Sequence, residues 1–410
     1  MCPLKITSVE PIILHEQDET HPHELDVGGY AGYQVIVRVE TDEGISGWGE
    51  CCTGGEYGEA AEAVRVLIEK GFAKRVEGEN PLEFRKLWDR LYDETIWFGR
   101  RGLTIFALSG LDTALVDVAA KAKGVSACEL LGGRFSESVP LYASLLFDMD
   151  DPEGTAKKGG TYVGEGYDAV KYGWGMLPRN AFGMDPDRDE AIVKTIREAI
   201  GNDVKLMIDV GRYVKWDAAH AISMVKRLRK YNLFWLEEPL PQDDIEGYVK
   251  LTREVGTPIA AGECLYTAFD FFDIIQRNAL DLVQPDVSKV GGISEAKRIV
   301  DYADQHNVRW VPHNWSTAIN SAASLQLCAS SPKGFLMEFK QEPNPLVSEI
   351  IKQPFEITRG KMHVPTNPGL GIEINEDAIE KYRSKDQRLT DQVNPTPSRA
   401  KRIQGIGRSK

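Results

Sequence analysis

The chain lacks the features that would place it in a membrane, on a nucleic acid or in an oxidising compartment. No run of 18 or more apolar residues occurs, so no transmembrane helix is expected. Basic residues are in deficit: 49 Lys and Arg stand against 62 Asp and Glu, a net charge of −13. Sequence-independent binding to nucleic acid or to an anionic membrane needs a positive field, so neither partner is expected. Cysteine is scarce and unpatterned. The six (Cys2, Cys51, Cys52, Cys128, Cys264 and Cys328) show no CxxC spacing. That argues against a disulfide framework or a structural zinc site, and for free thiols in a reducing cytoplasm. No apolar segment follows Met1-Cys2-Pro3-Leu4-Lys5, so no secretory signal peptide is expected. No GxGxxG follows the first strand pattern, which counts against a dinucleotide-binding sheet.

What is present is a change of rhythm. At 410 residues the prior is two or three domains. The first 60 positions read as strands and turns. Gln34 to Glu40, the turn Thr41-Asp42-Glu43-Gly44 and Ile45 to Glu50 together predict a hairpin. Apolar spacing then predicts helices from Tyr57 to about Lys70, from Pro81 to Asp93, and from Ile105 to Ala122. From about Val139, short apolar runs alternate with helical stretches. The runs are Val139–Ala143, Ala169–Tyr172, Lys205–Asp209, Leu233–Glu237, Pro258–Ala261, Leu282–Gln284, Arg309–Val311 and Phe335–Glu338. Helices are expected near 151–160, 186–200, 217–231, 244–255, 268–277, 292–306 and 318–329. This is the rhythm of a β/α barrel, with a doubly wound open sheet as the alternative. The basic tail from Thr396 to Lys410 reads as a solvated end.

Barrel chemistry sits at the C-terminal ends of the strands. The third run ends in Asp209, the fourth in Glu237, and the fifth is followed by Glu263. One acid at a strand end reads first as the N-cap of the next helix. Three on successive strands must converge, and three close carboxylates repel unless a cation neutralises them. An all-oxygen ligand set with open positions points to Mg²⁺. The sixth run leads to Asp286 and the seventh to His313. Neighbouring strand ends can set Asp286 against the His313 ring, which makes a general base. On the second run, alternation turns Lys171 and Gly173 inward and Tyr172 toward the helices. The last run ends near Glu338, another acid within reach.

These residues resemble the enolase superfamily, and within it the mandelate racemase subgroup. The resemblance extends to Ala107-Leu108-Ser109-Gly110-Leu111-Asp112 through Glu129-Leu130-Leu131-Gly132-Gly133, to Asp286-Val287-Ser288-Lys289-Val290-Gly291-Gly292, and to Pro368-Gly369-Leu370-Gly371-Ile372. It implies a modified TIM barrel, (β/α)7β, over residues 136–340. An α+β capping domain would be formed by residues 1–135 and completed by 341–410. It assigns Asp209, Glu237 and Glu263 as ligands of Mg²⁺, His313 and Asp286 as a base dyad, and Glu338 as a carboxylic acid that hydrogen-bonds an enediolate. It also implies a homo-oligomer.

One position departs from the subgroup's pattern. Gly173 stands where a second base is usual, and glycine has no proton to exchange. Two-base racemisation is therefore disfavoured. The expectation is a dehydratase of a sugar acid: His313 removes the proton α to a carboxylate, Lys171 binds or neutralises that carboxylate, and the β-hydroxyl leaves. A racemase, epimerase or cycloisomerase of the same superfamily is the alternative. A metal-binding regulatory protein without activity is the alternative of another class. Gly211 replaces a residue that is often Asn in sugar-acid relatives, so Arg212 or Tyr213 would have to bind the distal hydroxyls. Trp97, Tyr30 and His23 are candidate substrate contacts from the cap loops.

Overall fold

A computed structural model describes residues 4–15, 32–53, 58–175, 180–211, 214 and 216–385. His23, Tyr30, Arg212, Tyr213 and the basic tail lie outside the described residues.

The N-terminal part is a three-stranded antiparallel meander of β1 (Ile6–His15), β2 (Tyr33–Thr41) and β3 (Ser46–Cys51). Helices cover it, the longest spanning Leu103–Lys123. That helix lies almost on the sheet backbone because glycines face it. A methyl group at Gly49 would sit 1.9 Å from the Gly110 carbonyl, and one at Gly110 would sit 2.4 Å from Cys51 Sγ. By length and composition this helix could cross a membrane, yet 89% of its apolar window is buried inside the fold. The expected helix from Tyr57 is realised as Glu59–Val66, with a π-helical segment Leu67–Phe72 continuing it to Ala73–Val76.

The barrel strands are β4 (Ser138–Leu146), β5 (Ala169–Gly173), β6 (Lys205–Asp209), β7 (Leu233–Glu237), β8 (Ile259–Ala261), β9 (Leu282–Val283), β10 (Arg309–Trp310) and β11 (Met337–Lys340). Each pairs in parallel with the next as far as β10, and β11 returns to pair in parallel with β4. Seven main helices connect the eight strands, so the barrel reading holds and the open-sheet alternative does not. Several helices start on an acidic or hydroxyl cap: the side chains of Asp151, Asp185, Asp217, Asp244 and Thr317 accept backbone N–H groups of the first turn. Such caps fix where these helices begin.

The C-terminal segment serves both parts of the fold. β12 (Ile357–Thr358) and β13 (Lys361–His363) form a hairpin, and β13 pairs antiparallel with the start of β4. Farther on, Leu370 N–H donates to Asp117 Oδ1 on the long helix (2.8 Å), and Arg383 bridges to Leu14 on β1. The five described cysteines, Cys51, Cys52, Cys128, Cys264 and Cys328, are all thiols.

Two buried acids of the N-terminal part grip two barrel helices by their N-termini. Glu50 on β3 accepts from Thr317 N–H (3.2 Å), Thr317 Oγ1 (2.5 Å) and Asn320 N–H (3.0 Å) at the head of helix Ala318–Ala329. Asp112 accepts from Ser294 N–H (2.9 Å) and Ser294 Oγ (2.6 Å) at the head of helix Ile293–Gln305. Burial pushes both carboxyls up to about 7, and the hydrogen bonds only partly offset it. A carboxyl raised on folding makes the native state bind more protons than the unfolded chain. Its stabilising contribution is present at low pH and is lost as pH rises through the native value. The double variant E50Q/D112N carries no such charge, so its melting temperature should gain on the wild type between about pH 5 and pH 8. Parallel thermal melts across that range check this; a constant difference would count against it.

Candidate active site

The barrel interior is built in layers. The lower layer is an apolar plug with one residue from each barrel run: Tyr142, Ala169, Met207, Trp235, Ala260, Leu282, Val311 and Leu336. Side chains two residues apart on a strand share a face. Two positions farther along each run, the inward residues are Ser144, Lys171, Asp209, Glu237, Gly262, Gln284, His313 and Glu338. A polar layer thus rests on an apolar plug, and all of its side chains are buried. The expected candidates Asp209, Glu237, Lys171, His313 and Glu338 share this layer because the strands carry them in register. Glu263 is reached differently. Gly262 takes the inward position at φ +135°, where a methyl would meet Gln284 N and Phe271 at 3.0 Å, and the chain turns to bring Glu263 in instead.

The carboxylates are densely partnered. Lys171 Nζ lies 2.5 Å from Glu237 Oε1, 2.9 Å from Glu338 Oε1 and 3.8 Å from Asp209 Oδ2. The indole of Trp235 donates to Glu237 Oε2 (2.9 Å), and that of Trp174 to Asp209 Oδ2 (3.1 Å). Glu338 also accepts from Ser144 Oγ (2.7 Å) and Asn314 N–H (2.9 Å). His313 Nδ1 is 2.7 Å from Asp286 Oδ2, while its Nε2 is 3.0 Å from Glu263 Oε2. Asp286 is itself held by Ser288 N–H and Oγ and by the Asn320 side-chain amide. Asn320 also donates its backbone N–H to Glu50, so the cap reaches the dyad through one residue.

One ligand atom from each of Asp209, Glu237 and Glu263 lies within 4.8 Å of the others, an arrangement that could hold a metal ion. The electrostatics agree with that use. Burial and the neighbouring Glu237 push the Asp209 carboxyl well up, against the pull of Lys171. Burial works against an ionised Glu263 too, but His313 and Lys289 hold it below the usual carboxylate range. Burial opposes a charged His313, yet Glu263, Glu338 and Asp286 outweigh it and raise the imidazole to about 10. Without a metal, the protein's own cations therefore do the neutralising. The donor set fits a hard divalent cation: three carboxylates, no ring nitrogen among them, and more buried anions than buried cations around them.

Some neighbours of the cluster were not anticipated. Glu238 follows Glu237 at φ +44°, a left-handed conformation that costs a residue with a side chain on the order of 1–2 kcal/mol. The turn swings it inward beside Glu263 and Cys264, the second set of groups that could hold a metal. Its Oε1 is buried without a hydrogen-bond partner, and burial together with Glu263 pushes its carboxyl up to about 7. Lys289 is buried with its Nζ 3.8 Å from Asp286 Oδ2. Strand alternation could have flagged Trp235 and Ser144; nothing local flags Glu238 or Lys289. Trp97 is not brought to the cluster. It stands 93% exposed on the turn after helix Phe84–Glu94, between Ile96 and Phe98, which are also exposed.

The fold and site define an enolase-type barrel enzyme scaffold, and comparison with known proteins agrees. Residues 155–378 match the enolase C-terminal domain-like family, and residues 8–132 match the mandelate racemase / muconate lactonizing enzyme N-terminal domain. The chain belongs to the mandelate racemase subgroup of the enolase superfamily. It is 32% identical over 396 residues to D-galactarolactone cycloisomerase of Agrobacterium fabrum, covering 93% of this chain and 100% of that one. It is 33% identical to arabinonate dehydratase of Saccharolobus solfataricus, covering 86% and 91%. The crystal structure of the 3,6-anhydro-D-galactonate cycloisomerase from Zobellia galactanivorans superposes with a TM-score of 0.81 at 28% identity, covering 93% and 100%.

Lys171 touches Asp209, Glu237 and Glu338 at once, and removing one partner of a buried ion pair costs about 3–5 kcal/mol. Lys171→Met should lower stability by that order in a metal-free buffer, and added Mg²⁺ should restore part of the loss. Chemical denaturation with and without Mg²⁺ measures both; an equal loss in the two buffers would contradict the neutralising role.

Proposed function

We propose that the protein is a Mg²⁺-dependent dehydratase of a sugar acid, an aldonate or an aldarate, converting it to a 2-keto-3-deoxy acid. The observation that carries this reading is the pairing of one complete base dyad with an empty second-base position. His313 and Asp286 are in contact, while β5 presents Lys171 and then Gly173.

Asp286 fixes the His313 ring through Nδ1, and Nε2, once released from Glu263 and unprotonated, would take the proton α to the carboxylate. Bound Mg²⁺ would supply the electrostatic stabilisation of the dianionic enediolate; the handling of protons belongs to the side chains. The enediolate expels the β-hydroxyl as His313 returns its proton to that oxygen, so water leaves and the enol product tautomerises to the 2-keto acid. One base thus serves both proton transfers. Lys171 would neutralise the substrate carboxylate. Glu338, held ionised here by Lys171 and His313 against the effect of burial, would hydrogen-bond the enediolate after gaining a proton.

Relatives named as gluconate, xylonate and galactonate dehydratases support the general reaction. The cycloisomerase names favour a second reading with the same first step. There the β-leaving oxygen stays tethered to the substrate, as in a lactone or an anhydro sugar acid, and no water is lost.

A panel of aldonates, aldarates and their lactones, incubated with Mg²⁺ and followed by 2-keto acid detection and mass spectrometry, separates these. A product lighter by one water is expected. A product of unchanged mass would favour the cycloisomerase, and no product with any acid would favour a regulatory protein. His313→Asn should abolish both turnover and exchange of the α-proton in deuterated water; retained exchange would remove His313 as the base. In EDTA, tight binding of the sugar acid should be lost along with activity.

A further inference from the structure

Three glycines surround one tryptophan at the mouth. Trp174 sits between Gly173 and Gly175, and its indole packs on Gly211, where a methyl group would lie 1.8 Å from the Trp174 Cδ1 atom. Its backbone is left-handed at φ +57°, a conformation that disfavours any residue with a side chain. The segment is tied down regardless: Trp174 N–H donates to the Asp209 carbonyl (3.2 Å), Phe182 N–H to the Trp174 carbonyl (2.7 Å), and Gly175 N–H to the Gly173 carbonyl (2.8 Å). The result is an indole N–H held 3.1 Å from Asp209 Oδ2. β6, which carries Asp209, and β10, which leads to His313, lie four strands apart in a ring of eight, so the indole stands across the mouth from the base.

We propose that Trp174 is a positioning residue: it orients Asp209 for the metal and fills the face of the site opposite His313, where Gly173 offers no base. The two glycine departures then have one explanation. Gly173 leaves the Asp209 side chain uncrowded, since even a methyl there would come within 3.3 Å of Oδ2, and Gly211 is the seat of the indole. A strained residue bonded to a metal ligand through both backbone and side chain points to function rather than to packing alone. This inference rests on the metal reading of the proposed function, but its test needs no substrate.

Titration calorimetry of Mg²⁺ into the full-length protein, without sugar acid, compares wild type with Trp174→Phe and Gly211→Ala. The phenylalanine keeps the ring and loses the N–H; the alanine keeps the indole and displaces it. Loss of an outer partner of a ligand typically weakens metal affinity about 10–100-fold, and that weakening is expected in both variants, with unchanged thermal melting of the metal-free Trp174→Phe protein. Wild-type Mg²⁺ affinity in Trp174→Phe would overturn the proposal, with Gly211→Ala as the independent check should either variant fold poorly. A wild-type protein that binds no divalent cation would overturn both this proposal and the metal reading.

Discussion

Charge imbalance inside one barrel mouth is the constraint on which the rest of this structure depends. Among the described residues, Asp209, Glu237, Glu238, Glu263, Asp286 and Glu338 are all buried there, against Lys171, Lys289 and His313 as buried cations. Ionised groups removed from water are tolerated only when paired, hydrogen-bonded or neutralised. The structure meets part of that demand with its own cations and with two indole N–H groups. The remainder is the physical case for a divalent ion among Asp209, Glu237 and Glu263. An anionic substrate can approach so acidic a mouth only under the same condition.

The scaffold makes this concentration of charge tolerable from below and from the side. Beneath it, the plug of Tyr142, Met207, Trp235 and their neighbours fills the barrel with apolar side chains. Beside it, Glu50 and Asp112 bind the N-termini of two barrel helices, and Asn320 joins Glu50 to Asp286. The cap is therefore part of the support of the dyad as well as a cover. The close seating of helix Leu103–Lys123 on β3 through Gly49 and Gly110 is what brings Glu50 and Asp112 to the same side of the interface.

Much of the fold was legible because a barrel writes its geometry into local periodicity. β6 and β7 have the expected bounds, as do helices Pro186–Ile200 and Ala318–Ala329. Alternation turned Lys171 inward and Tyr172 toward a helix, where its hydroxyl donates to the Thr155 carbonyl. The acids at strand ends were legible for the same reason, since register carries them into one layer. What failed to show was whatever depends on a backbone outlier or on a partner distant in the chain. Glu238 turns inward only because of its left-handed φ. Trp174 reaches Asp209 only because Gly211 is empty. Whether an aromatic on a turn such as Trp97 finds a cover is a tertiary property, and here it stands exposed.

Among the described residues two clusters could hold an ion, and they share Glu263: one is completed by Asp209 and Glu237, the other by Glu238 and Cys264. The most direct test of the account is a crystal structure of the Mn²⁺-loaded protein with an anomalous difference map. The account predicts a single peak bound by Asp209, Glu237 and Glu263 oxygens, with His313 released from Glu263. A peak among Glu238, Glu263 and Cys264, or no peak at a saturating concentration, would contradict it.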